Sequence, residues 1–412
     1  MSHFLGKMLI ISFYFPPYGK VGGRRWAKHC KYLKKEKVDF NVLCGAFFGK
    51  SAWDKDIMLF EKSIKRLKIV RKYYPFFMKK LPVGFFEKVY WKISYIIWQI
   101  RKKWLRGNYR DVSRGNENRF YKEAETLMSV ENYKYVLISM GPFFYSNIIP
   151  KLKIKFPSTK FIIDYRDYWE DDFQGLTANQ VKFEKQQQQR LLEIVDLILV
   201  PNQEMEEYYK SISNKRIFLL PHCFDEEDME LVTQPLLTQN NTVVLTYGGA
   251  FYHRIEESLE LIKSLIDGLS KHKDLKCNFY VSLKGYEKQL NHPAIKRFGF
   301  IDSVDYFNEV RQSDYVILIL AEDRVNAMSS KFFELVALRK PILYFGNAGA
   351  VSEFIEKENL GFHITSQNLK KNIITLIENL KSKNIPNKSY DISKHTFAYH
   401  TNQLITTLQE LN

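Results

Sequence analysis

The sequence predicts an α/β protein built from two doubly wound, Rossmann-like domains, on three observations. The chain has 412 residues, too many for one ordinary hydrophobic core. Short apolar runs such as Met8-Leu9-Ile10-Ile11 and Val316-Ile317-Leu318-Ile319 recur in both halves, as in parallel strands buried on both faces. Several of these runs end in a glycine turn followed by a helical pattern, the start of a βαβ unit whose ligand-binding loop lies at the carboxyl edge of the sheet.

Composition narrows the class. With 45% hydrophobic and 26% charged residues, the chain reads as folded and globular rather than disordered. Cys30, Cys44, Cys223 and Cys277 form no Cys-x-x-Cys pair, which points away from a zinc site or disulfide framework and towards a reducing compartment. The start, Met1-Ser2-His3-Phe4-Leu5-Gly6-Lys7, runs straight into an apolar strand without the pattern of a signal peptide, so the expected location is cytoplasmic. The net charge of +16 is concentrated: Lys62 to Arg106 holds 14 Lys or Arg residues against one acid, Glu87. A local charge implies a local partner.

In the first half, the strand Met8 to Ser12 leads into Phe15-Pro16-Pro17-Tyr18-Gly19-Lys20-Val21-Gly22-Gly23, and a helix follows from Trp26 to Lys35. Gly22 and Gly23 let the backbone approach a sugar or phosphate closely, although a flexible turn would use them equally well. Val38 to Cys44 is the second strand. The segment near 62–110 then leaves the α/β rhythm, with 11 aromatic residues between Lys62 and Arg106. A helix expected from near Pro82 places Phe86, Val89, Tyr90, Ile93, Ile97, Ile100 and Trp104 on one face, with Lys88, Lys92, Lys102 and Lys103 towards its edges and back. Its longest apolar run, Val89 to Ile100, contains Lys92 and Gln99 and is too short to span a bilayer. Trp91, Trp98, Trp104, Lys102 and Lys103 suit a helix lying among the headgroups of an anionic membrane surface. An insertion packed on its own domain is the other reading. No RNP-like, helix-turn-helix or zinc pattern is present, so nucleic acid is not an expected partner.

Tyr135 to Ser139 and Lys160 to Asp164 continue the strands. The second releases Asp164, Arg166 and Asp167 at its carboxyl end, where an α/β sheet places its chemistry. Asp164 could equally cap the following turn, and Arg166 could pair with Asp167. Val195 to Val200 and Ile217 to Leu220 close this half, and the polar run Thr233 to Asn241 reads as a linker. In the second half Val243 to Gly249 is a strand into a glycine turn, Arg254 lies on the loop before a helix, and the strand Phe279 to Leu283 ends at Lys284. Phe298-Gly299-Phe300-Ile301 and Asp314 to Leu320 are further strands.

The stretch from Ala327 to Tyr344 organises the rest: a loop, a short helix opened by serine, and a buried strand after Pro341. Ser330 is the expected N-cap, and the free N–H groups at Ser329, Ser330 and Lys331, with the positive end of the helix dipole, favour a phosphate. Glu334 interrupts an otherwise apolar helix. It either pairs with Lys331 at i,i+3 or accepts hydrogen bonds from the two hydroxyls of a nucleotide ribose.

Ser329-Ser330-Lys331-Phe332-Phe333-Glu334-Leu335-Val336-Ala337-Leu338-Arg339-Lys340-Pro341-Ile342-Leu343 resembles the nucleotide-binding helix of the GT-B glycosyltransferases, in particular the group 4-like bacterial enzymes of surface-polysaccharide type. Asp164-Tyr165-Arg166-Asp167-Tyr168-Trp169 is similar to that family's Asp-x-Arg-Asp-Pro-Trp block, with Tyr168 in place of proline. Pro221-His222-Cys223-Phe224-Asp225 is similar to its interdomain Pro-Asn-Gly-Phe-Asp. The resemblance implies two Rossmann-like domains facing across a cleft: an acceptor-side domain over 1–232 with the basic insertion, a linker at 233–241, a nucleotide-sugar-binding domain over 242–390, and a final helix over 391–412 that crosses back.

The activity implied is glycosyl transfer, of hexosyltransferase class, from a nucleotide-sugar donor to a glycan or lipid-linked acceptor by a peripheral protein on the inner face of the membrane. No cofactor is implied beyond the donor substrate, and no metal, because no Asp-x-Asp pair stands at a strand end. Asp167, or failing it Asp164, would contact or deprotonate the acceptor hydroxyl, positioned by Arg166. Donor binding would fall to Gly22, Gly23, Gly249, Arg254, Lys284, Phe300, Asn326, Ser329, Ser330, Lys331 and Glu334, with Arg254 and Lys284 adding charge at the leaving diphosphate. Asn326 stands where retaining members of the family usually carry a glutamate. An amide supplies no negative charge, so retention of configuration and the donor sugar stay open. A nucleotide-sugar 2-epimerase and a non-catalytic partner of another transferase compete for the same fold.

Overall fold

The computed structural model describes residues 6–19, 21–51, 53–70, 84–230, 242–249, 251, 255–272, 274–281, 290–299, 301–321, 328–382 and 390–411. Arg254, Lys284, Phe300, Asn326 and the linker 233–241 lie outside the described residues. The chain divides into two compact units, residues 1–220 with 401–412, and residues 221–400. The change therefore comes at Leu220, ahead of the expected boundary at 232. Leu220 is the last residue held by the first sheet, its N–H donating to Val200 O, whereas Phe224 already bridges to Thr396 in the second unit.

The first unit is a seven-stranded parallel sheet of β1 (Lys7–Ser12), β2 (Phe40–Ala46), β3 (Ile64–Lys68), β4 (Tyr133–Ser139), β5 (Lys160–Asp164), β6 (Leu197–Val200) and β7 (Arg216–Leu219), in the order β3-β2-β1-β4-β5-β6-β7. The strands alternate between two cores: Met8 and Ile10 pack on one face of the sheet with Trp26 and Leu137, Leu9 and Ile11 on the other with Val136 and Ile163. Register sets Ser12 beside Cys44 and Ser139, and Ser139 beside Asp164, so the carboxyl ends of four strands form one edge. The strand order reverses between β1 and β4, the kind of switch point at which open α/β sheets bind ligands.

The second unit repeats the plan with six parallel strands, β8 (Thr242–Gly248), β9 (Asp274–Tyr280), β10 (Ile295–Phe298), β11 (Tyr315–Ile319), β12 (Ile342–Phe345) and β13 (Gly361–His363), in the order β10-β9-β8-β11-β12-β13. Its switch point falls between β8 and β11. The last helix, Phe397–Gln409, begins in the second unit, and from Thr401 the chain belongs to the first, where Leu404 and Leu408 join the core around Trp26.

One expectation needs correction. Ile64 to Lys68 reads in sequence as the start of the basic insertion, yet it is the edge strand β3, in register with Val42 to Ala46. Lys65, Arg66 and Lys68 mask the strand pattern, and basic side chains are what an unpaired sheet edge tolerates. Beyond it, the helix of the insertion runs Phe85–Trp104, with Gly84 at its N-cap. Among the described residues no helix is long and apolar enough to cross a membrane.

The backbone approaches closely at Gly361, whose φ is +156° and where an added Cβ would lie 2.0 Å from Ile342 O, a strand atom that cannot yield. Gly361→Ala is expected to cost at least about 3 kcal/mol, read as a lowered midpoint in urea unfolding monitored by circular dichroism.

Candidate functional site

At the carboxyl edge of the first sheet, Asp164 ends β5 fully buried, at 0% exposure. Arg25 Nε and Nη2 donate to its two oxygens at 3.0 and 2.9 Å, and Trp26 Nε1 donates to Oδ2 at 2.8 Å. Arg25 Nη2 also reaches Leu220 O at 2.7 Å. With both oxygens engaged and no solvent access, Asp164 is a structural anchor, which corrects the reserve catalytic role and the turn-cap reading alike. Two residues on, Arg166 Nε donates to Met140 O and Nη1 to Gly22 O, each at 3.0 Å, and Nη2 donates to Gly141 O. The guanidinium therefore ties the loop after β5 to carbonyls of the loops after β1 and β4, and the alternative ion pair with Asp167 does not form. Gly22 serves this joint: a Cβ there would stand 3.3 Å from Arg166 Nη1, and one on Gly23 would stand 2.8 Å from Tyr18 O.

Asp167 is left exposed at the rim. Around it the structure adds residues that the sequence did not single out. Tyr14 and Tyr18 stack at 4.3 Å on the loop after β1. Asp172 has its carboxyl pushed up to about 6, by lost solvation first and then by the charges of Asp111, Asp167 and Asp171, against Arg110. The residue as a whole is exposed, so water screens part of that shift. The acidic run Glu170-Asp171-Asp172 was visible in the sequence, but its approach to Asp111 was not.

At the corresponding edge of the second unit, the organising helix runs Ser330–Ala337 and its cap is Ser329, whose Oγ accepts from Phe332 N at 3.3 Å. This moves the expected cap one residue earlier, because Ser329 is the residue that stays extended while Ser330 takes helical backbone. Lys331 lies in the first turn with its Nζ 4.6 Å from the ring centroid of Tyr247. Gly249 follows on the same loop at φ +142°, and a Cβ there would stand 2.5 Å from Lys331 Nζ, so only glycine leaves the amine its place. Burial lowers the Lys331 amine to about 8, while the Glu334 carboxylate acts in the opposite direction.

Glu334 is half-buried one turn on. It also helps to push up the phenol of Tyr306, for which burial is the larger cause. Tyr306 fills the space beside Gly248, where a Cβ would meet its ring at 2.2 Å. The second unit thus brings Gly249, Ser329, Ser330, Lys331 and Glu334 together, with Tyr247 and Tyr306 as additions. Arg254, Lys284, Phe300 and Asn326 fall outside the described residues.

The helix Phe85–Trp104 presents its predicted apolar face outward: Phe86 is 86% exposed, Trp104 84%, and Val89, Tyr90, Ile93, Ile97 and Ile100 are all exposed. Lys88, Lys92 and Lys103 are exposed as well. Trp91 and Trp98 are not on that face. They are half-buried, Trp98 against Tyr109 at 5.4 Å and Trp91 stacked on Tyr95, which corrects their assignment to the outer surface. Lys102 sits over the Tyr109 ring, and buried Gln180 fastens the end of the helix by donating to Lys102 O and Leu105 O at 2.7 and 3.0 Å.

No protein-family model matches the chain, and no curated protein matches it. Solved structures do. A glycosyltransferase from Rickettsia africae ESF-5 matches with TM-score 0.59 at 12% identity, covering 98% of this chain and 98% of that one. A structure described as trehalose-6-phosphate from E. coli bound with UDP-2-fluoro glucose matches with TM-score 0.59 at 11% identity, over 98% and 99% of the two chains. A UDP-N-acetylglucosamine 2-epimerase matches with TM-score 0.50 at 12% identity, over 97% and 94%. The shared feature is the GT-B fold of two parallel-sheet α/β domains.

The buried ion pair yields a direct test. Arg25→Met leaves Asp164 charged and unpaired, and is expected to lose about 3–5 kcal/mol of unfolding free energy. Asp167→Asn at the exposed rim is expected to change it by less than about 0.5 kcal/mol. Equilibrium urea unfolding of the two variants separates the roles.

Proposed function

We propose that this chain is a glycosyltransferase that moves a sugar from a nucleotide-sugar donor to a glycan or lipid-linked acceptor. The observation that carries this reading is the grouping at the second switch point. The capped start of the helix Ser330–Ala337, the Lys331 amine above Tyr247 and the half-buried Glu334 stand within one turn of each other. An anion at the helix start is favoured by free N–H groups and dipole. A carboxylate one turn further on can accept from ribose hydroxyls. In this reading Lys331 and the helix start stabilise the diphosphate as it leaves, and Asp167 at the rim of the first unit meets the acceptor hydroxyl. Fold likeness to a protein bound with UDP-2-fluoro glucose supports a nucleotide sugar as donor.

The helix Phe85–Trp104 extends the reading to location. An outward face of Phe86, Ile93, Ile97, Ile100 and Trp104, edged by lysines, suits the headgroup region of an anionic leaflet, so the enzyme works as a peripheral protein on the inner face of the membrane. Flotation with anionic liposomes is expected for the wild-type chain and lost when Ile93, Ile97, Ile100 and Trp104 are all changed to serine. Equal flotation would remove this part of the reading.

UDP at a hundred times its dissociation constant is expected to add about 2.7 kcal/mol of stability in thermal unfolding, and Glu334→Ala to abolish most of that gain. The charged form of Lys331 is the one an anion favours, so UDP affinity is expected to fall as pH rises through about 8. Lys331→Met should flatten that profile. Turnover of UDP-N-acetylglucosamine without any acceptor would move the assignment to the epimerase reading.

A further inference from the structure

Residues 390–396 lead into the last helix and take no part in the site assigned above, yet they fasten the helix that carries it. The imidazole of His395 stacks on Phe333 at 4.9 Å with 24° between the planes, and on Tyr390 at 5.8 Å with 22°. Phe354, from the helix Ala350–Lys357, meets all three rings edge-on, at 6.5, 5.7 and 5.6 Å from Phe333, His395 and Tyr390. Tyr390 Oη and His395 Nε2 share a hydrogen bond. Ring pairs in these geometries hold more firmly than the area they bury would give. Phe333 is the neighbour of Glu334, so the column of rings grips the helix Ser330–Ala337 at mid-length.

The same segment grips that helix at its end as well. Arg339, in left-handed backbone at φ +55°, donates from Nη1 to Tyr390 O at 2.8 Å. The main chain of the segment is fixed in turn, with Phe224 N donating to His395 O at 3.1 Å and Phe397 N to Phe224 O at 3.0 Å.

The central ring of the column is the one whose charge changes near neutral pH. Burial lowers the proton affinity of His395, while the carboxylates of Asp391 and Glu358 act in the opposite direction. Lys394 beside it helps to keep Asp391 ionised, and Lys357 lies 3.9 Å from Glu358. Phe333, Phe354 and Phe224 bring no charge. Neutral imidazole can accept the Tyr390 proton at Nε2. Once protonated, Nε2 only donates, so the Tyr390 hydroxyl has to turn and find another acceptor. Because burial holds His395 below the usual histidine range, its contribution to stability is fully present above about pH 6.5 and is lost as pH falls below that value.

We propose that His395 is a proton-sensitive clasp, a positioning residue that in its neutral form sets the helix Ser330–Ala337 for anion binding and on protonation loosens it through Phe333. The clasp stands on the ring geometry, and its effect on UDP rests on the donor-site reading above.

Hydrogen exchange of the amides of residues 332–338 in the full chain, corrected for the intrinsic effect of pH, tests the clasp. Wild-type protection is expected to fall by about threefold or more between about pH 7.5 and about pH 5.5. His395→Phe keeps a ring that cannot titrate, and its protection is expected to stay level. His395→Gln has neither ring nor charge, and its protection is expected to be low at both values. Calorimetric titration with UDP then reads the consequence: wild-type affinity is expected to fall by about threefold or more beyond any fall in His395→Phe, since the titration of UDP itself is common to both proteins. Equal loss of protection in wild type and His395→Phe would overturn the proton sensitivity. Wild-type protection in His395→Gln at the higher pH would overturn the grip of the rings. Expected exchange with the same UDP profile in wild type and His395→Phe would overturn the link to the anion site and leave the donor reading standing. UDP bound by none of the proteins would remove the donor reading, while the exchange result would still decide the clasp.

Discussion

The edge of the first unit depends on one buried ion pair, Arg25 with Asp164. Removing two charges from water is costly, and the pair persists because the geometry is bidentate and Trp26 Nε1 supplies a third hydrogen bond to the carboxylate. It joins the helix after β1 to the end of β5 across the switch point. Everything within reach then follows from strand alternation. Tyr165 turns to the opposite side and stacks on Tyr209 at 4.4 Å, Arg166 ties its own loop to carbonyls of two others, and Asp167 emerges into solvent. Four consecutive residues thus hold four different environments, and only the last is exposed to solvent.

The second unit solves a related problem differently. Among the described residues Lys331 has no bidentate partner. It keeps its amine in place with an aromatic face, a carboxylate one turn away and a glycine that clears the space. Such an arrangement leaves the cation under-solvated, which is why its proton is held more loosely than that of a surface lysine. The first edge is rigid because its charges are satisfied within the protein. The second retains electrostatic demand that an anion could meet.

Much of the fold was legible in the sequence because parallel sheets demand it. Met8 to Ser12, Tyr135 to Ser139, Lys160 to Asp164, Val243 to Gly248 and Asp314 to Leu320 could bury both faces only as internal strands, and the glycine turns marked their carboxyl ends. The edge strand β3 was lost because its basic side chains belong equally to a strand edge and to a charged insertion. The position of the helix cap was off by one, since two adjacent serines offer the same chemistry and only backbone conformation separates them. The roles of Asp164 and Arg166 were hidden for a deeper reason. Their partners, Arg25, Gly22 and Met140, are distant in the chain, and nothing in an Asp-x-Arg-Asp spacing says which acid turns inward. Trp91 and Trp98 illustrate the same limit on a helix, where the apolar face was read correctly but the side that meets the protein was set by Tyr109 and Gln180.

The charged margin of the first sheet has a consequence for how the molecule behaves in company. Among the described residues β3 and β10 are edge strands, β3 exposing Lys65, which pairs with Glu123, and Lys68, and β10 exposing Lys296 and Arg297. A neighbouring molecule that tried to extend either sheet by pairing strand to strand would bring like charges together before the ladder could close. Crowded copies are thereby steered away from fibre-like stacking, and any self-adhesion is left to the oily flank of the Phe85–Trp104 helix, a surface that detergent or lipid can cover.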